Sequence, residues 1–390
     1  MSSNTVNQPE ANSKSGLQTK GKVIVLGSIA TSLTNFRADL IRELIARDYS
    51  VVAAAPGMDA DSASNLMTLG ATAKSVALSR TGMNPLSDIG GLYQLWKFLR
   101  RERPIAILSY TAKPVVYGML AAWVACVPIR AALITGLGYS FTEGNEPKRR
   151  LARLAAKLLY RLALPRATAA IFQNPDDRKL FVELGLLPQK TPSGVVNGSG
   201  VNLARYAVVP LPERPVFLMI ARFIKDKGIR EFAKAAVELK TSNPEARVLL
   251  VGWRDTSPDS VSEAEVSSWV AAGIENLGRL TDVRPAIAAA SVVVLPSYRE
   301  GTPRSVLEGM SMGRAIITTD VPGCRETVEH GVNGLLVAPR NSQALLHAMQ
   351  KLATSPAEIR RMGAASRTMA ESKYEAGAVA RATLDLAGLL

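Results

Sequence analysis

The sequence is poor in the groups on which much enzyme chemistry runs. Two cysteines, Cys126 and Cys324, cannot build a disulfide framework, and nothing pairs them into a metal site. Two histidines, His330 and His347, exclude a multi-histidine metal centre and leave little for a histidine-based mechanism. There is no G-x-x-x-x-G-K-S/T and no G-x-G-x-x-G, which sets aside kinases, ATPases and ordinary NAD enzymes. Aromatic residues are 5% and cluster nowhere, against a nucleic-acid surface, which interleaves them with basic residues. The longest apolar run, residues 115–128, is shorter than the ~20 residues of a membrane span. Residues 1–20 are polar, read as a disordered tail rather than an export signal, so a cytoplasmic protein is expected.

Apolar residues make up 47% of the 390, enough for globular domains, and the length suits two. Lys plus Arg is 47 against 33 for Asp plus Glu, a net +14 that favours anionic partners. Short apolar runs (22–27, 50–55, 105–109, 130–135, 169–173) alternate with helical patterns (35–47, 86–101, 114–126, 176–184). Residues 188–200, rich in Pro, Gly, Ser and Thr, read as a boundary, after which the alternation restarts. The order predicts an α/β fold of two doubly wound, Rossmann-like domains over residues 21–200 and 201–373, with a helix at 374–390. Residues 146–164 form a basic amphipathic helix. Leu151, Leu154, Leu158, Leu159 and Leu162 make its apolar stripe, and Arg149, Arg150, Arg153, Lys157 and Arg161 its basic face. Two readings stand: a surface helix packed on its own sheet, or contact with an anionic membrane.

Gly309-Met310-Ser311-Met312-Gly313, followed by Asp320 and His330, mimics a serine hydrolase. The context fails, because the serine sits late in a helix and the strand comes after it. The strongest constellation is Glu300-Gly-Thr-Pro-Arg-Ser-Val-Leu-Glu308. A strand leads into it, Gly301 and Pro303 shape a turn, and a helix begins near Arg304. Free amides at that helix start favour a phosphate, and the two carboxylates can accept hydrogen bonds from sugar hydroxyls. Arg222 and Lys227 lie on the loop after the first strand of the second half, where two cations suit a diphosphate and solvated side chains are the plain alternative.

Together these segments resemble family 4 glycosyltransferases, the retaining enzymes of the GT-B fold, from Lys22 onward. Glu300 and Glu308 match that family's E-x7-E motif, and Arg222 with Lys227 its R-x4-K pair. NGSGVN (197–202), ENLGRL, PGCRE and GVNGLLV match in order. EGTPR, TDVPGCRETV and TGLGYSFT resemble the branch that adds hexoses or N-acetylhexosamines to polyprenyl-diphosphate-linked sugars in bacterial polysaccharide or glycan assembly. The resemblance implies two domains facing across a cleft, the first taking the acceptor and the second a nucleotide sugar, here expected to be UDP-linked. It also implies that no metal or cofactor takes part.

By position it assigns the diphosphate to Arg222 and Lys227, the donor sugar to Glu300 and the ribose to Glu308. Gly301, Thr302, Pro303, Arg304 and Ser305 would border the donor, with Gly27 and Ser28 facing it from the first half. Asn35, Arg37 and Lys113, each read as lying at a helix start, are candidates for a lipid diphosphate, with ordinary helix-end residues the plain alternative. The basic helix would dock on the inner leaflet, and the last helix would pack back on the first domain. The sequence departs from the family where a histidine often ends the fourth strand: it has Ser109-Tyr110-Thr111-Ala112-Lys113-Pro114. The first glycine loop is reduced to Gly27-Ser28, and Asn202 replaces the usual aspartate. A sugar-nucleotide epimerase of the same architecture is the alternative enzyme.

Overall fold

The computed structural model describes residues 19–78, 85–137, 141, 147–255 and 259–390. Most of the expected tail, all but Thr135, Gly136, Leu137 and Phe141 of TGLGYSFT, and the first residue of the expected basic helix lie outside them.

Apolar β-branched runs with no polar face make strands that must be covered on both sides, and parallel sheets provide this. The first domain runs β1 (Gly21–Leu26), α1 (Ala30–Phe36), α2 (Ala38–Ala46), β2 (Tyr49–Ala55), α3 (Ala60–Thr68), β3 (Thr72–Ser75), α4 (Pro85–Glu102), β4 (Ala106–Tyr110), α5 (Ala112–Val124), β5 (Ile129–Ile134), α6 (Pro147–Ala163), β6 (Ala169–Phe172), α7 (Pro175–Glu183) and β7 (Ser193–Val195). The second runs β8 (Val216–Arg222), α8 (Ile229–Ser242), β9 (Arg247–Trp253), α9 (Glu263–Ala271), β10 (Glu275–Gly278), α10 (Arg284–Ala288), β11 (Val292–Leu295), α11 (Arg304–Ser311), β12 (Ala315–Thr319), β13 (Gly334–Val337), α12 (Ser342–Ala353) and α13 (Pro356–Lys373). A last helix, α14 (Ala376–Ala387), follows. The sheets are ordered β3-β2-β1-β4-β5-β6-β7 and β10-β9-β8-β11-β12-β13, all parallel. Strand order reverses between β1 and β4 and again between β8 and β11. In such sheets ligands bind at the carboxyl ends beside that reversal.

Two stretches of chain link the domains side by side. Val201 N–H donates to Tyr374 O at 2.7 Å, and Ala376 N–H returns to Val201 O at 3.1 Å. Gly200 is obligatory here: φ is +68°, and a Cβ would lie 2.6 Å from Ala376 Cα. Beyond the crossing, α14 lays Val379, Ala380, Leu384 and Ala387 into the core of the first domain.

Several expectations change. The single helix expected over 35–47 is two, broken at Arg37, whose backbone (φ −126°, ψ 3°) leaves the helical region. Asn35 is therefore in the last turn of α1 rather than at a helix start, whereas Arg37 stands at the N-terminal boundary of α2, as expected. Helices α3 and α13 and strands β3 and β7 were not expected; β3 and β7 are short and polar and carry no period of their own. In α6 only Leu159 of the expected stripe packs against the core. Leu151, Leu154, Leu158 and Leu162 are 61%, 66%, 58% and 45% exposed, while Tyr160 and Ala163 face inward. Arg149 is buried and paired with Asp259 of the second domain at 3.4 Å, so it is no part of an outward basic face.

Candidate active site

At the second strand-order reversal two loops meet. From β8, Arg222 leads into a helical turn, Lys225–Lys227, and then α8. From β11, Ser297 to Pro303 leads into α11. Tyr298 N–H donates to Asp226 O at 2.9 Å, tying the two loops together. Lys227 Nζ donates to Glu300 Oε1, which also accepts from Ser297 Oγ at 2.6 Å. Arg222 pairs with Asp255 at the end of β9, the strand beside β8. Asp255 was missed from the sequence; its place just past a strand's carboxyl end was the available signal.

Glu308 lies one turn into α11 and is 8% exposed. Burial pushes its carboxyl above the usual range, opposed by the Arg304 charge and a hydrogen bond from Tyr206. Arg304 Nε donates to Glu308 at 3.0 Å, and its NH1 reaches Ser199 Oγ at 3.3 Å and Gly200 O at 3.1 Å in the crossing segment. Thr302, Pro303 and Ser305 continue the rim at the start of α11.

The same loop is pressed against the first domain. A Cβ on Gly301 would fall 2.4 Å from Thr135 O and 2.7 Å from Gln173 Oε1. Asn174 Nδ2 donates to Gly301 O at 2.9 Å, Thr302 Oγ1 donates to Gln173 O at 3.1 Å, and Arg299 pairs with the fully buried Asp177. None of Gln173, Asn174 or Asp177 was expected at the site.

On the facing side, Gly27 lies under Tyr110, whose hydroxyl is 2.7 Å from Ser32 Oγ. Ser28, Thr31, Pro56, Gly57 and Asp59 line a cavity of about 280 Å³ at the carboxyl ends of β1 and β2. Thr111, between β4 and α5, holds φ +69°, a strained conformation for a β-branched residue. Arg37 is 6% exposed, its guanidinium 4.7 Å above the Tyr110 ring. Lys113 is spent on Asp88 at 2.8 Å, and Asn35 is exposed on the last turn of α1. The structure thus brings Arg222, Lys227, Glu300–Ser305 and Glu308 together opposite Gly27, Ser28 and Arg37. The hydrolase pattern dissolves into packing: Ser311 is fully buried and donates to Tyr206 O at 2.8 Å.

Chemically, this is a cleft with cations paired to carboxylates, and carboxylates able to accept from hydroxyls, the equipment for a phosphorylated sugar. Comparison with known proteins agrees. Residues 33–192 match the family model described as glycosyl transferase 4-like domain, and residues 214–355 match glycosyl transferases group 1. The chain is 30% identical over 334 residues, 82% of itself and 86% of the relative, to N,N'-diacetylbacillosaminyl-diphospho-undecaprenol alpha-1,3-N-acetylgalactosaminyltransferase of Campylobacter jejuni. It is 25% identical over 68% of itself and 71% of the relative to UDP-Gal:alpha-D-GlcNAc-diphosphoundecaprenol alpha-1,3-galactosyltransferase of Escherichia coli. The fold matches sucrose-phosphate synthase of Thermosynechococcus elongatus (TM-score 0.78, 19% identity, 94% of this chain and 98% of that one). It also matches Anabaena HepE with UDP-glucose (TM-score 0.73, 17% identity, 95% and 100%). These relatives give the isomerase alternative no support. Fold, site and kinship agree: the chain belongs to the group 1, 4-like family of glycosyl transferases and is a glycosyltransferase of two facing Rossmann-like domains.

Proposed function

We propose that this enzyme moves a hexose or N-acetylhexosamine from a UDP-linked donor to a saccharide carried on a polyprenyl diphosphate, with the anomeric configuration retained. The supporting observation is the meeting of Arg222, Lys227, Glu300 and Glu308 at one strand-order reversal, in a chain whose relatives are named for such lipid-linked acceptors.

In this reading the donor diphosphate takes Arg222 and Lys227 from Asp255 and Glu300. Glu300, released, accepts from the sugar hydroxyls, and Glu308 accepts from the ribose. The bond from the anomeric carbon to the diphosphate oxygen breaks, and the acceptor oxygen bonds to that carbon on the same face. The acceptor proton passes to the departing phosphate oxygen. Catalysis rests on position and on charge stabilisation of the leaving diphosphate.

Among the described residues no helix is long and apolar enough to cross a membrane. The lipid acceptor would be met at the inner face of the plasma membrane, with Arg150, Arg153, Lys157 and Arg161 of α6 toward anionic headgroups.

The test is a panel of UDP-, GDP- and dTDP-sugars, scored by thermal shift and by transfer to a short-chain prenyl-diphosphate saccharide. A UDP-sugar should raise the melting temperature, and its α-anomer should give an α-linked product by NMR. Lys227→Ala should cut turnover by about 10²–10³-fold, as other lost oxyanion donors do. An inverted product would end the retaining assignment. No response to any sugar nucleotide would end the donor assignment.

A further inference from the structure

The cations around the cleft are not alike. Arg222 has Asp255, Lys227 has Glu300, Arg304 has Glu308 and Lys113 has Asp88. Arg37 has no carboxylate among the described residues. It is 6% exposed, and its Nε is buried without an acceptor. Its NH1 finds only the neighbouring Phe36 carbonyl, at a marginal 3.5 Å. Its guanidinium carbon lies 4.7 Å from the Tyr110 ring centroid, which favours a cation but does not neutralise it.

The neighbour across the cleft makes matters worse. Arg304, first residue of α11, stacks 5.9 Å from the ring of Phe36. Burial lowers Arg37 from its ordinary value to about 10, and the Arg304 charge pushes the same way. A buried charge without a counter-ion is among the costlier features a fold can carry, and an apolar side chain of similar length would fill the space at less cost. The ion that relieves it must be an anion with oxygen acceptors for a planar fork, entering between Arg37 and the start of α11.

We infer that Arg37 is a ligand-binding residue whose missing partner is a phosphoryl group of a diphosphate, bound between it and Arg304. The inference rests on the glycosyl-transfer reading and adds to it a diphosphate contact from the first domain. That diphosphate belongs either to the nucleotide donor or to the prenyl-linked acceptor, and the chemistry of recognition is common to both.

Calorimetry with two probes separates them: UDP alone, then farnesyl diphosphate on UDP-saturated protein. Arg37→Met keeps the apolar stem and removes the charge. It should weaken one probe by about ten- to a hundredfold, the worth of hydrogen bonds to a charged group. Loss for UDP assigns the donor, and loss for farnesyl diphosphate with UDP intact assigns the acceptor. Arg37→Lys keeps the charge without the fork and should recover part of the loss. The melting temperature of the unliganded Arg37→Met protein should be at or above wild type, because an uncompensated charge has gone. Unchanged affinity for both probes would overturn the inference while leaving the glycosyl-transfer reading standing. Wild-type protein that binds neither probe would take both down together.

Discussion

Glu308 holds its carboxylate where water barely reaches, and that has a cost the rest of the site must offset. Burial raises its proton affinity, while Arg304 and the Tyr206 hydroxyl favour the ionised form. A carboxyl with a raised pKa takes up its proton at a higher pH in the folded protein than in the unfolded chain, so its charge weighs against the fold above that pH. For the donor, in the proposed reading, the sign is opposite, since only the ionised carboxylate would accept from both ribose hydroxyls. UDP affinity should therefore fall as pH drops through the weakly acidic range, beginning above the pH at which an ordinary glutamate protonates. Glu308→Gln should bind UDP weakly and with a shallower profile, the remaining slope coming from the terminal phosphate of UDP itself. Calorimetric Kd values across that range check it, and a variant retaining the wild-type slope would place the titrating group elsewhere. This carboxylate was legible in the sequence because its meaning is local: two glutamates at fixed spacing, astride a turn that starts a helix. Arg37 was legible only as a cation at a helix start; its meaning lies in what is absent around it, and only packing reveals that.

At the scale of elements, a short polar strand such as β3 or β7 is created by the neighbour it pairs with, so no pattern within it could announce it. Helix α6 gives a sharper lesson. The period of its leucines was plain in the sequence, but a period says only that residues share a face, not which way the face points. Residues 151, 154, 158 and 162 lie within one narrow stripe, and the sheet is instead covered by Tyr160 and Ala163. Arg150 and Arg161 are exposed beside that stripe. In the membrane contact proposed for α6, the four exposed leucines would enter the boundary between headgroups and acyl chains and the flanking cations would supply the lipid preference. Leu154→Gln with Leu158→Gln should abolish flotation with vesicles containing phosphatidylglycerol while leaving UDP affinity intact. Flotation undiminished in that double variant would end the membrane role proposed for this face of α6.

At the scale of the molecule, the two domains are joined by more than the crossing chains. The turn between β6 and α7 grips the loop that carries Glu300. Asn174 caps α7 by accepting from Asp177 N–H at 2.7 Å, and with its amide it donates to the Gly301 carbonyl. Asp177 has no exposed surface and is pushed up by burial, against the pull of Arg299. One turn of the first domain thus touches the backbone of the loop that carries Glu300, beside the contacts Glu300 makes to Lys227, Ser297 and Pro322 in its own domain. In the proposed reading, closure of the cleft would complete the site, as in enzymes that assemble their machinery only when shut. The sequence could mark residues 188–200 as a boundary from composition, but contacts spanning 126 and 127 residues of chain, as from Asn174 to Glu300 and Gly301, leave no local trace. Asn174→Ser separates the two duties of that side chain. Serine caps a helix about as well as asparagine but is too short to hold the Gly301 carbonyl. The melting temperature should therefore change little, whereas kcat should fall about ten- to a hundredfold, the cost of a catalytic group displaced by about an ångström. UDP affinity should hold, because Arg222, Lys227 and Glu308 stay in place. Wild-type kcat in Asn174→Ser would mean that Glu300 is positioned within its own domain and that the grip between the domains only holds them together.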